Sequence, residues 1–428
     1  MYEFIGINDI RASEILDSRG MPTVRAEVLL EDGTTGAACV PSGASTGKYE
    51  AVEKRDEDHH RFHGTGVLKA CGMVNKEIRN LLRGRNVLAQ QEIDRVLKEL
   101  DDTQNFSYVG ANAALAVSLA CARAAAEALC LPLYQYIGGL SGRVMPVPMM
   151  NVINGGKHAG NNIDIQEFMI MPTGARTFAE GYRWCAEVYQ SLRKLLMDAG
   201  MSVSVGDEGG FAPDLKDDME ACELLCRAIE HAGFKTDKHF VLALDAAASE
   251  WQAQDGYRLP KRGQDMTRGE LIEYWKKLCA TYPVQSIEDP LGQDDFEGFE
   301  QITQALPHVQ IVGDDLFVTN PARIARGGHG IATTVLIKPN QIGTLSLTLK
   351  AVDEARRRGM NVIVSHRSGE TCDSFIADLA VAVNAGQIKA GAPCRSERTE
   401  KYNRLTQIAY ELGAAAEYGG VFDHLQRK

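Results

Sequence analysis

FVLALD (240–245) decides the fold: an apolar run ends on one ionisable residue, Asp245, and the same arrangement recurs five more times downstream. VQSIE (284–288) ends on Glu288, VQIVGD (309–314) on Asp314 and TTVLIK (333–338) on Lys338. NVIVSH (361–366) then ends on His366, and QIK (387–389) on Lys389. Short apolar runs of this kind suit strands buried on both faces. The stretches between most of them, including 268–280, 344–358 and 396–412, carry apolar residues at helical spacing. Repeated strand–helix units point to a parallel sheet closed into a (β/α)8-type barrel. An open doubly wound sheet has the same periodicity, but no GxGxxG fingerprint opens any of these helices.

Working backwards, VPMMNVI (147–153), EFMIMP (167–172) and MSVSVGD (201–207) read as further β-runs, and 176–199 and 217–232 as helices. Before them the texture is different. Residues 23–40 alternate around a polar turn at Glu31–Gly33 and predict a β-hairpin, while 67–130 is helical in pattern. Strands followed by a run of helices make a small α+β domain. Pro132, the Gly138-Gly139 pair, Pro146 and Pro148 mark its end. The reading is therefore an N-terminal α+β capping domain over 1–138 and a catalytic barrel over 139–428.

A formal charge of −11 argues against a nucleic-acid partner, and no apolar run reaches the ~18 residues of a membrane span. The ten cysteines form no CxxC pair and read as reduced thiols. With no secretory signal in MYEFIGINDIRASEIL, a cytoplasmic location is expected, with a surface or secreted fraction left open.

Taken singly, an Asp after a strand is usually a cap, a Lys is solvated and a His is a packing residue. Six in succession, three anionic and then Lys, His and Lys, is a pattern that turn chemistry does not produce. In a barrel all six strand ends meet at one mouth, where active sites of this architecture lie. Asp245, Glu288 and Asp314, without His or Cys beside them, are hard ligands suited to Mg²⁺ or Mn²⁺. A cation and a low dielectric both favour loss of a lysine proton, which makes Lys338 or Lys389 a candidate base. Glu208, in SVGDEGGFAPD (204–214), and Glu167 form a second acidic pair. Close carboxyls hinder each other's ionisation, so one can keep its proton. VPSGASTGKYE (40–50) and NGGKHAGN (154–161), with His158, are glycine-rich candidates for lids, although the first fails the phosphate-loop pattern.

Longer segments carry a resemblance. EILDSRG (14–20), VPSGASTG (40–47), MNVINGGKHAGN (150–161), GDEGGFAP (206–213), SIEDP (286–290), KPNQIGT (338–344), SHRSGET (365–371) and QIKAGAPCRSER (387–398) are similar, in order, to the enolase family. The resemblance implies a barrel that opens with two strands and two helices, and the reversible dehydration of 2-phosphoglycerate to phosphoenolpyruvate in glycolysis. It further implies that Asp245, Glu288 and Asp314 hold one Mg²⁺, and that Ser45 helps to hold a second as the cap loop closes. Lys338 would be the base for the C2 proton, and Glu208, assisted by Glu167, the acid for the C3 hydroxyl. Arg367 and Ser368 would grip phosphate and Lys389 the carboxylate, while Gln166, His158 and His366 complete the site. Members of this family are homodimers or octamers, so a homo-oligomer is expected.

Met21, Phe106, Tyr108 and Cys372 depart from the family's usual residues, and none is among these groups. A related acid-sugar dehydratase or racemase would lack SGASTG, the DEGG acid and the RSG grip, all present here. A non-catalytic binding protein would have no need of the intact set.

Overall fold

The computed structural model describes residues 4–43 and 47–426, so Ser45, the expected ligand of a second Mg²⁺, lies outside the described residues. The N-terminal region is a three-stranded antiparallel sheet, β1 (Ile7–Leu16), β2 (Pro22–Leu30) and β3 (Thr35–Cys39). The predicted hairpin is β2–β3. The strand before it, β1, was not anticipated, and it pairs with β2 along its whole length. Against this sheet lie a helical stretch within 68–82 and a long helix, on which α1 (Gln90–Asp101) packs in turn; the long helix is α2 (Ala111–Ala128). Nearly every residue of α2 is buried, so its alanines serve as small contact points on all sides.

The second region is the barrel: β4 (Val147–Asn154), β5 (Glu167–Met171), α3 (Phe178–Asp198), α4 (Asp218–His231) and β6 (Val241–Asp245) open it. Strand–helix units follow: α5 (Arg268–Thr281), β7 (Val284–Glu288), α6 (Phe296–Ala305), β8 (Gln310–Gly313), β9 (Thr334–Ile337), α7 (Leu345–Arg357), β10 (Asn361–Ser365), α8 (Phe375–Ala382), β11 (Gln387–Lys389) and α9 (Ser396–Leu412). The closed order is β7-β8-β9-β10-β11-β4-β5-β6. All neighbours are parallel except at β5, which runs against both β4 and β6. MSVSVGD is not a strand. Its only β feature is an isolated bridge from Val205 to Phe211, and the two helices α3 and α4 occupy the interval instead.

Barrel helices begin where the sequence supplies a cap. The side chains of Thr177, Asp217, Thr267, Asp295 and Thr344 each accept a backbone N–H at the start of α3 to α7. A cap of this kind contributes about 0.5–2 kcal/mol. Inside the barrel, Val147, Met149, Met169, Met171, Val241, Ala243, Val312, Leu336 and Ile363 form a closed apolar cluster of their own.

Candidate active site

Strand alternation carries this inward row upwards. Two residues beyond Ala243 is Asp245, beyond Val312 is Asp314, and beyond Leu336 is Lys338; in reversed β5, two before Met169 is Glu167. The antiparallel run of β5 is what puts its first residue, and not its last, at the mouth, directly opposite Asp245 in register. Every predicted site residue that the structure describes, except Glu288, lines one pocket of about 490 Å³ there. Glu288 is fully buried beneath it.

Amines thread the acids. Lys389 Nζ donates to Asp245 Oδ2 at 2.8 Å and to the two Glu288 oxygens at 3.0 and 2.9 Å, and lies 3.3 Å from Glu167. Lys338 Nζ is paired with Asp314, whose other oxygen accepts from Gln341 Nε2 at 3.0 Å. Burial opposes the charge on both lysines, yet the acids outweigh it and hold both amines above the ordinary lysine value. The carboxylates are the lysines' counter-ions. Glu288, pushed well above the usual range by burial and by Asp245, marks how crowded the negative charge is.

These groups fit a hard divalent cation. The donors are carboxylates on adjoining strand ends, and they already enclose one positive charge, the Lys389 ammonium, which stands in for a cation. Asp245 and Glu288 are brought together through Lys389. Asp314 instead brings a ligand atom within 4.8 Å of those of Asp289 and Asp315, a cluster that the sequence reading did not single out. Asp289 accepts the N–H groups of Asp314 and Asp315 at 2.9 and 2.8 Å, so it aims their loop.

Across the mouth, His158, Glu167 and Glu208 bring ligand atoms within 4.8 Å of one another. Gly209, at φ +85°, makes the turn that lets Glu208 reach inward. Burial and the neighbouring Glu208 push Glu167 well up. Glu208, although burial raises it too, is drawn well down by His366 and His158. The two carboxyls titrate as a pair driven apart, Glu167 upward and Glu208 downward. His158 Nδ1 is 3.7 Å from each carboxylate, and His366 Nε2 is 3.5 Å from Glu208. Asn151 Nδ2, unanticipated, donates to Glu208 at 3.1 Å. Gln166 Nε2 reaches Asp245 at 3.5 Å.

The cap enters through its glycine-rich loop. Glu50 accepts two hydrogen bonds from Arg367, at 2.8 and 3.2 Å, and Ser42 exchanges backbone hydrogen bonds with Gly369 at 2.8 and 2.9 Å. Sequence reasoning missed Glu50, although it closes the VPSGASTGKYE segment. It also missed Arg398, buried on α9, where the helical pattern alone marks no function.

Comparison with known families agrees with this architecture in both halves. The family model of the enolase N-terminal domain matches residues 7–137, and that of the enolase C-terminal TIM barrel domain matches residues 142–426. With a cap, a reversed second strand and an acid-lined mouth all in place, the chain belongs to the enolase family and is a lyase of the enolase superfamily.

Proposed function

We propose that this protein reversibly dehydrates 2-phosphoglycerate to phosphoenolpyruvate and water. The observation that carries the reading is a division of the mouth. Lys338 follows β9, and Glu167 opens β5, four strands away around the ring of eight and so diametrically opposite. A proton can therefore leave one face of a bound three-carbon acid while a hydroxyl leaves the other.

Asp245, Glu288 and Asp314 would hold the Mg²⁺ (or Mn²⁺), and the bound metal would supply positive charge to the substrate carboxylate, making its C2 proton easier to remove. Lys338 takes that C2 proton; the C–H electron pair forms the new double bond; the C3–O bond breaks; and Glu208 gives the leaving hydroxyl its proton, passed across from Glu167. The acid–base step of such a pair contributes about 10²–10⁴-fold. Arg367 and Ser368 grip the phosphate. For Arg367 this means exchanging Glu50 for a phosphate in the same two-pronged geometry, so substrate entry is linked to movement of the cap loop. Lys389 meets the carboxylate, and His158, Gln166 and His366 close the site around it. These few local cations also explain how a chain of charge −11 can attract a phosphorylated acid.

Ten free thiols suit a reducing compartment, and the same proposal carries a cytoplasmic homo-oligomer. Purified protein supplied with Mg²⁺ and 2-phosphoglycerate should raise the ultraviolet absorbance as the enol double bond forms, and a chelator should stop it. Absence of product at high enzyme concentration would remove the assignment.

A further inference from the structure

Arg398 is the one fully buried arginine, and no carboxylate lies within hydrogen-bond reach of its guanidinium among the described residues; the nearest, Glu397, is 3.6 Å from Nε. Desolvating such a cation costs several kcal/mol unless its donors are all used. Here the two terminal nitrogens are used on the mouth, while Nε has no hydrogen-bond partner among the described residues. Nη1 donates to His366 Nδ1 at 2.6 Å and to Arg367 O at 2.7 Å, and Nη2 donates to Ser368 O at 2.5 Å and to Asp207 O at 3.1 Å. A single planar group thus ties the loop after β10 to the residue preceding Glu208.

A guanidinium does not give up its protons, so it can only donate. The Nδ1 that it touches must then be the bare, accepting nitrogen, and the imidazole proton must sit on Nε2. That nitrogen is the one 3.5 Å from Glu208, and among the described residues it has no other hydrogen-bond partner. We propose that Arg398 is a positioning residue: it fixes the His366 tautomer so that Nε2–H faces Glu208, and it holds the phosphate-grip loop and the Glu208 loop at a set spacing. The catalytic half of this inference rests on the dehydration reading above; the tautomer half does not.

The tautomer is read directly by ¹⁵N NMR of the whole chain labelled at histidine, with His366→Asn identifying the signal. Wild type should show a protonated Nε2 and a bare Nδ1 at His366. Arg398→Met should lose that single form and, if dehydration is the activity, lower kcat about 10²-fold, the size of effect that a misplaced acid pair produces. Arg398→Lys keeps one donor but cannot span all four acceptors. It should restore the tautomer while leaving KM raised, because the carbonyls of Arg367 and Ser368 are no longer held. If the methionine variant fails to fold, the wild-type and lysine spectra still decide. A proton on Nδ1 in wild type, or an unchanged single tautomer in Arg398→Met, overturns the proposal. An inactive wild type with the expected tautomer would sink the dehydration reading and leave the positioning role standing.

Discussion

The two ends of the barrel are built by the same eight strands and the same inward alternation, yet they solve opposite problems. At the floor, Val147, Met171, Val241 and Leu336 fill space and need no partners. At the mouth, further along the inward rows, stand Asp245, Asp314 and Glu167, all buried, and the part-buried Lys338, held as a mutually neutralising set. Level with the floor, Gln310 and Gln387 exchange amide hydrogen bonds at 3.0 and 2.8 Å, and Gln310 adds Ser286 at 3.0 Å, a polar layer with its bonds made internally. Stability and chemistry are thus stacked along one axis, two residues apart. A charge at the floor would be a cost without compensation, while at the mouth the cost is the source of reactivity.

The sharpest way to break this contrast is to truncate Lys338 and Leu336, neighbours on one inward row. Lys338→Ala should cut turnover by about 10²–10⁴-fold and abolish exchange of the substrate C2 proton with deuterated water. Glu208→Gln should stop water loss yet keep some exchange, because the base is intact. Equal exchange in the two variants would show that proton removal and hydroxyl departure are not divided across the mouth. Leu336→Ala, by contrast, should cost about 2–5 kcal/mol in urea unfolding while each folded molecule still turns over within a few-fold of wild type. A floor variant that lost the chemistry without losing stability would erase the distinction.

Legibility in the sequence follows the same division. The strand-end residues were readable because a buried parallel strand is a continuous apolar run, and an ionisable group closing it breaks that run. Strand β1 was missed because one side faces solvent and its polar positions diluted the signal; α6 and α8, short helices after β7 and β10, lacked enough turns to show a period. MSVSVGD alternates like a strand but has no ladder partner, so its alternation has nothing to pair with. Glu50, Asn151 and Asp289 were unreadable for another reason: their roles come from partners more than 20 residues away, a distance that no local spacing encodes.

A smaller effect tests whether mouth groups are tuned by burial. Burial pulls the His366 imidazole down to about 3, with Arg398 adding to this and Glu208 opposing it. In the unfolded chain the same ring takes a proton near pH 6.5, about the ordinary value. The folded pKa lies below the unfolded one, so the unfolded state binds the extra proton as pH falls. His366 therefore contributes nothing to the pH dependence above about 6.5 and destabilises progressively below it, by about 3 kcal/mol near pH 4. Comparing urea unfolding of wild type and His366→Asn at pH 7 and pH 4 isolates this. The variant should lose less stability on acidification, and identical slopes would mean that the ring is protonated in the fold.

The smallest expected effect carries the comparison into the cap, which resembles the barrel floor in relying on shape alone. Gly36, on β3, faces α2 so closely that an added Cβ would stand 2.2 Å from the Ala124 nitrogen and 2.5 Å from the Ala120 carbonyl oxygen. These are backbone atoms, which cannot swing aside as a long side chain would, so the sheet or the helix must shift. Gly36→Ala should then destabilise by about 1–3 kcal/mol, the usual range for overpacking. No left-handed backbone angle is recorded for this glycine, so the loss would be steric and not conformational. Turnover should stay at the wild-type level, because the mouth meets the cap through Glu50 and Ser42, on the loop beyond β3 and not through the sheet–helix seam. Unfolding curves together with the absorbance assay read both quantities. A variant as stable as wild type would mean that the seam can relax, whereas a fall in turnover at full stability would mean that the cap's packing sets the position of the loop that closes on the mouth.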